Sequence, residues 1–144
     1  MVCCFFGHSN TSQEIRPYLV NEIRNLIETG EAVDFLVGNQ GSFDYMVLSV
    51  LRELKETYPN ITYSVCLAYL PKKEEYSTLK PEETVYLEGM ETAPLRFAIS
   101  RRNDLMLKES DIVICYVKHS FGGSGKMVDK AIRQKKRVIN LAVV

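Results

Sequence analysis

Short apolar runs of strand character alternate along this chain with amphipathic stretches of helical period. That alternation is the tightest constraint on the fold. Strands joined through helices return parallel to one another, and a parallel sheet needs helices over both faces. Strands are read at 2–6, 33–37, 61–69, 110–117 and 138–143. Between them, Ile15, Leu19, Val20, Ile23, Leu26 and Ile27 recur at helical spacing, as do Phe43, Met46, Val47, Val50, Leu51 and Leu54. Thr11 with Glu14 resembles a capping box for the first of these helices, and Gly30 ends it. Two more helices are read at 96–109 and 124–135. From Leu70 to Pro94 three prolines and paired charges break the pattern. A loop of that length reads either as a lid or as a solvated crossover. The expected fold is α/β: a single Rossmann-like domain over 1–144, with a mostly parallel five-stranded sheet and helices on both faces.

A chain of 144 residues, 46% apolar and 25% charged, suffices for one ordinary core. Lys+Arg and Asp+Glu both number 18, so no global field recruits a polynucleotide or an anionic membrane. The expected partner is therefore a small nucleotide ligand, with no nucleic acid and no membrane. Cys3, Cys4, Cys66 and Cys115 all fall in strands without a C-x-x-C pair, and read as buried reduced thiols. The apolar start is too short for a signal peptide, and no run approaches the about 20 apolar residues of a membrane span. A cytoplasmic protein without metal or cofactor is expected.

Two strand ends carry glycine loops that open helices: Gly38-Asn39-Gln40-Gly41-Ser42-Phe43-Asp44 and Gly122-Gly123-Ser124-Gly125-Lys126. Glycine lets the backbone approach a phosphate, and the unpaired N–H groups of a first helical turn then point at it. The second loop fails the Walker pattern, because Ser120 stands where glycine is needed and Met127 where a hydroxyl is needed. With strand order 3-2-1-4-5, ligands are expected between strands one and four, where the order reverses. The loops there are Gly7-His8-Ser9-Asn10-Thr11 and the segment 118–126, which holds His119, Ser120 and Lys126. His8 and His119, the only histidines, read as ligand contacts. Ile99, Arg102 and Met106 share a helix face, so Arg102 needs an anion. Asp44 as an ion-pair partner and a bound phosphate or carboxylate are both open.

These segments together, with Arg96-Phe97-Ala98-Ile99-Ser100-Arg101-Arg102-Asn103 and Ser110-Asp111, resemble the SLOG superfamily across essentially the whole chain. The similarity is greatest to its short YpsA-like bacterial and phage members. The resemblance implies a Rossmann-like domain that binds nucleotides or nucleotide-derived signals, and a homodimer or larger homo-oligomer. Relatives include the Thoeris sensor domain, which recognises a cyclic ADP-ribose isomer, and LOG enzymes, which cut the N-glycosidic bond of cytokinin nucleotides. Against the LOG motifs, Arg102, Met106, Gly122, Gly123 and Gly125 match. Asn103 replaces a lysine, Phe121 a proline and Lys126 a threonine, and Asp129 stands at the catalytic glutamate. Two functions follow. One is a sensor or sequestering protein for an ADP-ribose- or NAD-derived nucleotide, with Gly7, His8, Ser9, Gly38, Asn39, Gln40, Gly41, Asp44, Arg102, His119, Ser120, Gly122, Gly123, Ser124, Gly125 and Lys126 as binding residues. The other is an N-glycoside hydrolase acting on nucleoside monophosphates through Asp129. The partly kept motif weighs towards binding.

Overall fold

In a computed structural model of the chain, which describes residues 1–70 and 78–142, the apolar runs form one six-stranded sheet. The strands are β1 (Val2–Gly7), β2 (Asp34–Val37), β3 (Thr62–Cys66), β4 (Thr84–Val85), β5 (Ile112–Tyr116) and β6 (Arg137–Asn140). Their order is β4-β3-β2-β1-β5-β6 and every pairing is parallel. Cys4 pairs with both Leu36 and Val113, which places β1 at the centre. The helices are α1 (Arg16–Glu28), α2 (Ser42–Thr57), α3 (Ala98–Glu109) and α4 (Gly122–Arg133).

Period-two alternation in β1 divides the core between the two faces. Cys3 and Phe5 pack with Leu19 and Ile23 of α1 and Phe43 and Val47 of α2. Cys4 and Phe6 pack on the other face with Met106 and Leu107 of α3 and Met127 and Ala131 of α4. All four cysteines are free and buried. Burial pushes the thiols of Cys4, Cys66 and Cys115 up to about 12. Thus β1 and its central neighbours must be apolar on both sides, as befits a doubly covered parallel sheet.

The sheet has six strands rather than the five expected from sequence. Strand β4 is two residues long and lies inside the proline-bearing segment, too short for any alternation to register. It adds an edge beyond β3, closed by Leu67 N–H to the Val85 carbonyl at 2.9 Å. Around it, 3₁₀ turns form at Pro81–Glu83 and Met90–Thr92, so the described part of this segment is a structured crossover. Residues 71–77 of the suggested lid lie outside the described residues. The capping box also differs. Ser12, not Thr11, accepts the Glu14 N–H, while the Thr11 hydroxyl donates to the His8 carbonyl at 2.7 Å. Among the described residues, no helix is long and apolar enough to cross a membrane.

Candidate functional site

From β1 the chain builds outward through β2, β3 and β4, then returns to the other side of β1 as β5. The helices change face at that reversal, so the loops leaving the carboxyl ends of β1 and β5 diverge and open a crevice. Its volume is about 630 Å³, and it is lined from the predicted set by Gly7, His8, Ser9, Gly38, Gln40, Asp44, Arg102, His119, Gly122, Gly123 and Ser124.

The glycines after β5 begin α4 itself, rather than a loop before it. Gly122 is the first helical residue, with φ +87°, a conformation that L side chains rarely adopt. Among the described residues, a Cβ at Gly122 or Gly123 would meet nothing within 4 Å. Internal packing therefore does not require glycine at 123, and the open space fits the approach of a ligand to bare backbone. First-turn N–H groups of a helix have no partner within the helix, and here the N–H groups of Gly122, Gly123 and Ser124 find none elsewhere among the described residues. The Ser124 hydroxyl donates to the Gly7 carbonyl at 2.6 Å and ties this helix end to β1.

The other glycine segment is built differently. The Ser42 N–H, first in α2, donates to the Ser9 carbonyl at 2.8 Å, and Gln40 N–H donates to Asp44 Oδ2 at 2.9 Å. Ser9 lies over Gly41 so closely that a Cβ there would come within 2.5 Å of its Cα. Much of this second anion cradle is thus occupied by the protein's own oxygens. A carboxylate sits where a phosphate was expected.

Arg102 is 2% exposed and Asp44 8%. Both crowd Gly38, where an added Cβ would lie 2.8 Å from Asp44 Oδ2 and 2.9 Å from the Arg102 guanidinium. The guanidinium is held by neutral oxygens: Nη1 donates to the Cys66 carbonyl at 2.9 Å and to Asn39 Oδ1 at 3.4 Å, and Nε donates to Asn103 Oδ1 at 2.9 Å. Burial pushes its proton affinity down, opposed chiefly by the charge of Asp44. Burial raises the Asp44 carboxyl to about 6, against the pull of the Gln40 N–H and of Arg102. The alternatives left open for Arg102 resolve into neither simple case, since among the described residues the two charges close no contact ion pair.

At the crevice mouth three rings stack. His8 and His119 lie 4.3 Å apart at 25°, and His119 and Phe121 lie 3.8 Å apart at 8°. His8 Nε2 accepts the Lys118 N–H at 2.9 Å, which fixes the neutral tautomer with its proton on Nδ1. Its proton affinity is lowered by burial, then by His119 and Lys118. His119 Nδ1–H donates to the Phe121 carbonyl at 3.0 Å. Phe121 remains 72% exposed, a flat apolar ring beside the open helix end.

Six predicted residues stand elsewhere. Asn39 supports Arg102 from behind, and Gly41 is covered by Ser9. Gly125 packs against the carbonyls of His119 and Ser120, where a Cβ would approach Ser120 O to 2.5 Å. Ser120, Lys126 and Asp129 are exposed and outside the crevice lining. Asp129 lies two turns along α4 from Gly122. Sequence reasoning missed Asn10, Ser12, Ile99, Asn103, Tyr116, Lys118 and Phe121 in the lining. Phe121 and Asn103 carried a signal, as departures from the LOG pattern. Asn10 and Lys118 belong to the two loops already read at the crevice, while Ser12, Ile99 of α3 and Tyr116 of β5 are residues whose position only the fold assigns.

Comparison with known proteins bears on the family and the fold. The YpsA family model, described as the YspA SLOG family, matches residues 2–143. No curated protein matches the chain in sequence. A solved structure of DNA processing protein A from Helicobacter pylori, described for its single-stranded DNA binding mode, is similar with a TM-score of 0.68 and 14% identity. The match covers 97% of this chain and 64% of that one, so the chain spans less than two thirds of the solved protein. The expectation of no nucleic-acid partner is corrected by this finding, because a protein of similar fold binds single-stranded DNA. Net charge averages over a whole surface, whereas the donors of a crevice act locally, and a balanced total excludes no partner that uses them.

Proposed function

The chain belongs to the YspA SLOG family, and from that premise we propose that it binds a nucleotide in the crevice between β1 and β5. Family membership supports a nucleotide-related role. The observation that carries the finer reading is the pairing of an open α4 N-terminus with the exposed His8–His119–Phe121 stack. A helix end with bare glycine amides holds a phosphate, and a flat ring holds a base. The ligand class we favour is a nucleotide-derived signal of the ADP-ribose or NAD type, sensed or sequestered rather than turned over. Hydrolysis through Asp129 lacks support, because that carboxylate is outside the crevice lining.

Thermal shift and calorimetry with AMP, ADP-ribose, its cyclic isomers and a short single-stranded oligonucleotide test the reading. At least one nucleotide is expected to raise Tm, and Phe121→Ala to weaken it about tenfold, the scale of one lost base stack. No rise with any of them would sink the proposal. Release of free base from AMP, followed by chromatography, would overturn the binding-only form of it.

A further inference from the structure

The crevice floor carries two charged side chains that the phosphate and base contacts leave unused. Arg102 spends Nε and Nη1 on protein oxygens, and Nη2 has no acceptor among the described residues. Asp44 spends Oδ2 on the Gln40 N–H, and Oδ1 has no donor among them. Among the described residues no buried side-chain nitrogen or oxygen lacks a partner, so neither free atom is sealed off, and both residues line the crevice. Both side chains are more than nine-tenths buried, and their rigid supports aim them.

Set about Gly38 on one crevice floor, a residue with an open N–H and a residue with an open carboxylate oxygen suit a group that both accepts and donates hydrogen bonds. The two charges nearly cancel, so the floor holds no net attraction for a second phosphate, and Asp44 repels one directly. With the base on the rings at the mouth and a phosphate at α4, the sugar is the part of a nucleotide that reaches the floor. We propose that Arg102 and Asp44 read the vicinal 2′,3′-diol of a bound ribonucleotide, selecting it over deoxyribonucleotides and over nucleotides phosphorylated on that diol. This rests on the nucleotide reading above and adds the sugar to it. It also separates a free ribonucleotide from single-stranded DNA as the preferred occupant.

Calorimetry on the wild-type chain with AMP, 2′-deoxy-AMP and adenosine 3′,5′-bisphosphate tests the assignment. A hydrogen bond to a charged group is worth about 10-fold to 100-fold in affinity, so both analogues should bind at least about tenfold more weakly than AMP. Asp44→Asn should narrow the gap to the bisphosphate by removing the repelling charge. Equal affinity for AMP and 2′-deoxy-AMP overturns this inference and leaves the nucleotide reading standing. Failure of all three to bind overturns both. An unchanged bisphosphate gap in a folded Asp44→Asn removes Asp44 from the assignment. If that variant does not fold, the wild-type series alone decides.

Discussion

Asp44 and Gly38 show how single residues set the character of the crevice. The folded Asp44 carboxyl stands at about 6, above its ordinary value of 3.8. A raised folded value favours the protonated form, so its contribution to stability is complete below about 3.8 and is lost as pH rises through about 6. Wild type should therefore gain stability relative to Asp44→Asn as pH falls from about 7 to about 4, by about 3 kcal/mol in full. Urea unfolding of both proteins across that range measures it, and a difference independent of pH would show that the carboxyl titrates normally. The glycines divide by what surrounds them. Gly38→Ala pushes a methyl against the Asp44–Arg102 floor and should cost about 1–3 kcal/mol of stability. Gly123→Ala meets open space, and should leave stability within about 0.5 kcal/mol while weakening nucleotide binding. Paired denaturation and titration of the two variants distinguish a packing glycine from one that admits ligand.

Among the elements, β4 depends most on a polar network. Glu83, 6% exposed, takes both Arg52 Nε and Nη2 at 2.8 and 2.7 Å and the Tyr63 hydroxyl at 2.6 Å. Arg52 above all, with Tyr63 adding, holds the Glu83 carboxyl down to about 2 against burial. A lowered folded value stabilises above about 4.5, and the contribution is lost as pH falls through about 2. Glu83→Gln should cost about 1–3 kcal/mol near neutral pH, because it removes the buried charge that the half-buried Arg52 fork and the Tyr63 hydroxyl both hold. Hydrogen exchange at the Leu67 N–H, which β4 closes, should quicken in that variant while amides of β1 stay protected. Equal acceleration in β1 would mean that the edge strand does not open separately. The four helices were legible because each keeps an apolar stripe at helical spacing over three turns or more. Strand β4 was not, since two residues carry no period and their pairing depends on a network between distant segments. The start of α4 was read two residues late. Glycine signals a loop by propensity, and only the tertiary tie of Ser124 to Gly7 keeps helix there.

For the molecule as a whole, zero net charge leaves the salt response of binding to the local contacts of the crevice. The crevice offers few phosphate contacts, one helix end and the nearby Lys118. Affinity for a short single-stranded oligonucleotide should therefore fall with salt at a log–log slope no steeper than about −1.4, or about −0.7 for each of two contacts. Titrations at several salt concentrations check it, and a much steeper slope would place the oligonucleotide on a basic surface outside the crevice. The sequence by itself determined the doubly covered parallel sheet and the end of its strands where the crevice opens, while the strand order it could only assume is set by the fold. The first two follow from local periodicity and from chain connectivity, both written in one dimension. Only the tertiary structure decided which of the two glycine segments stays open. Ser9 and Asp44 fill much of one helix start from nearby in space, while among the described residues nothing covers Gly122 and Gly123. It also decided that Arg102 and Asp44 both crowd Gly38 and that Asp129 lies outside the crevice lining. Those outcomes depend on side chains brought together from separate elements, and burial gives their charges a weight that spacing along the chain does not carry.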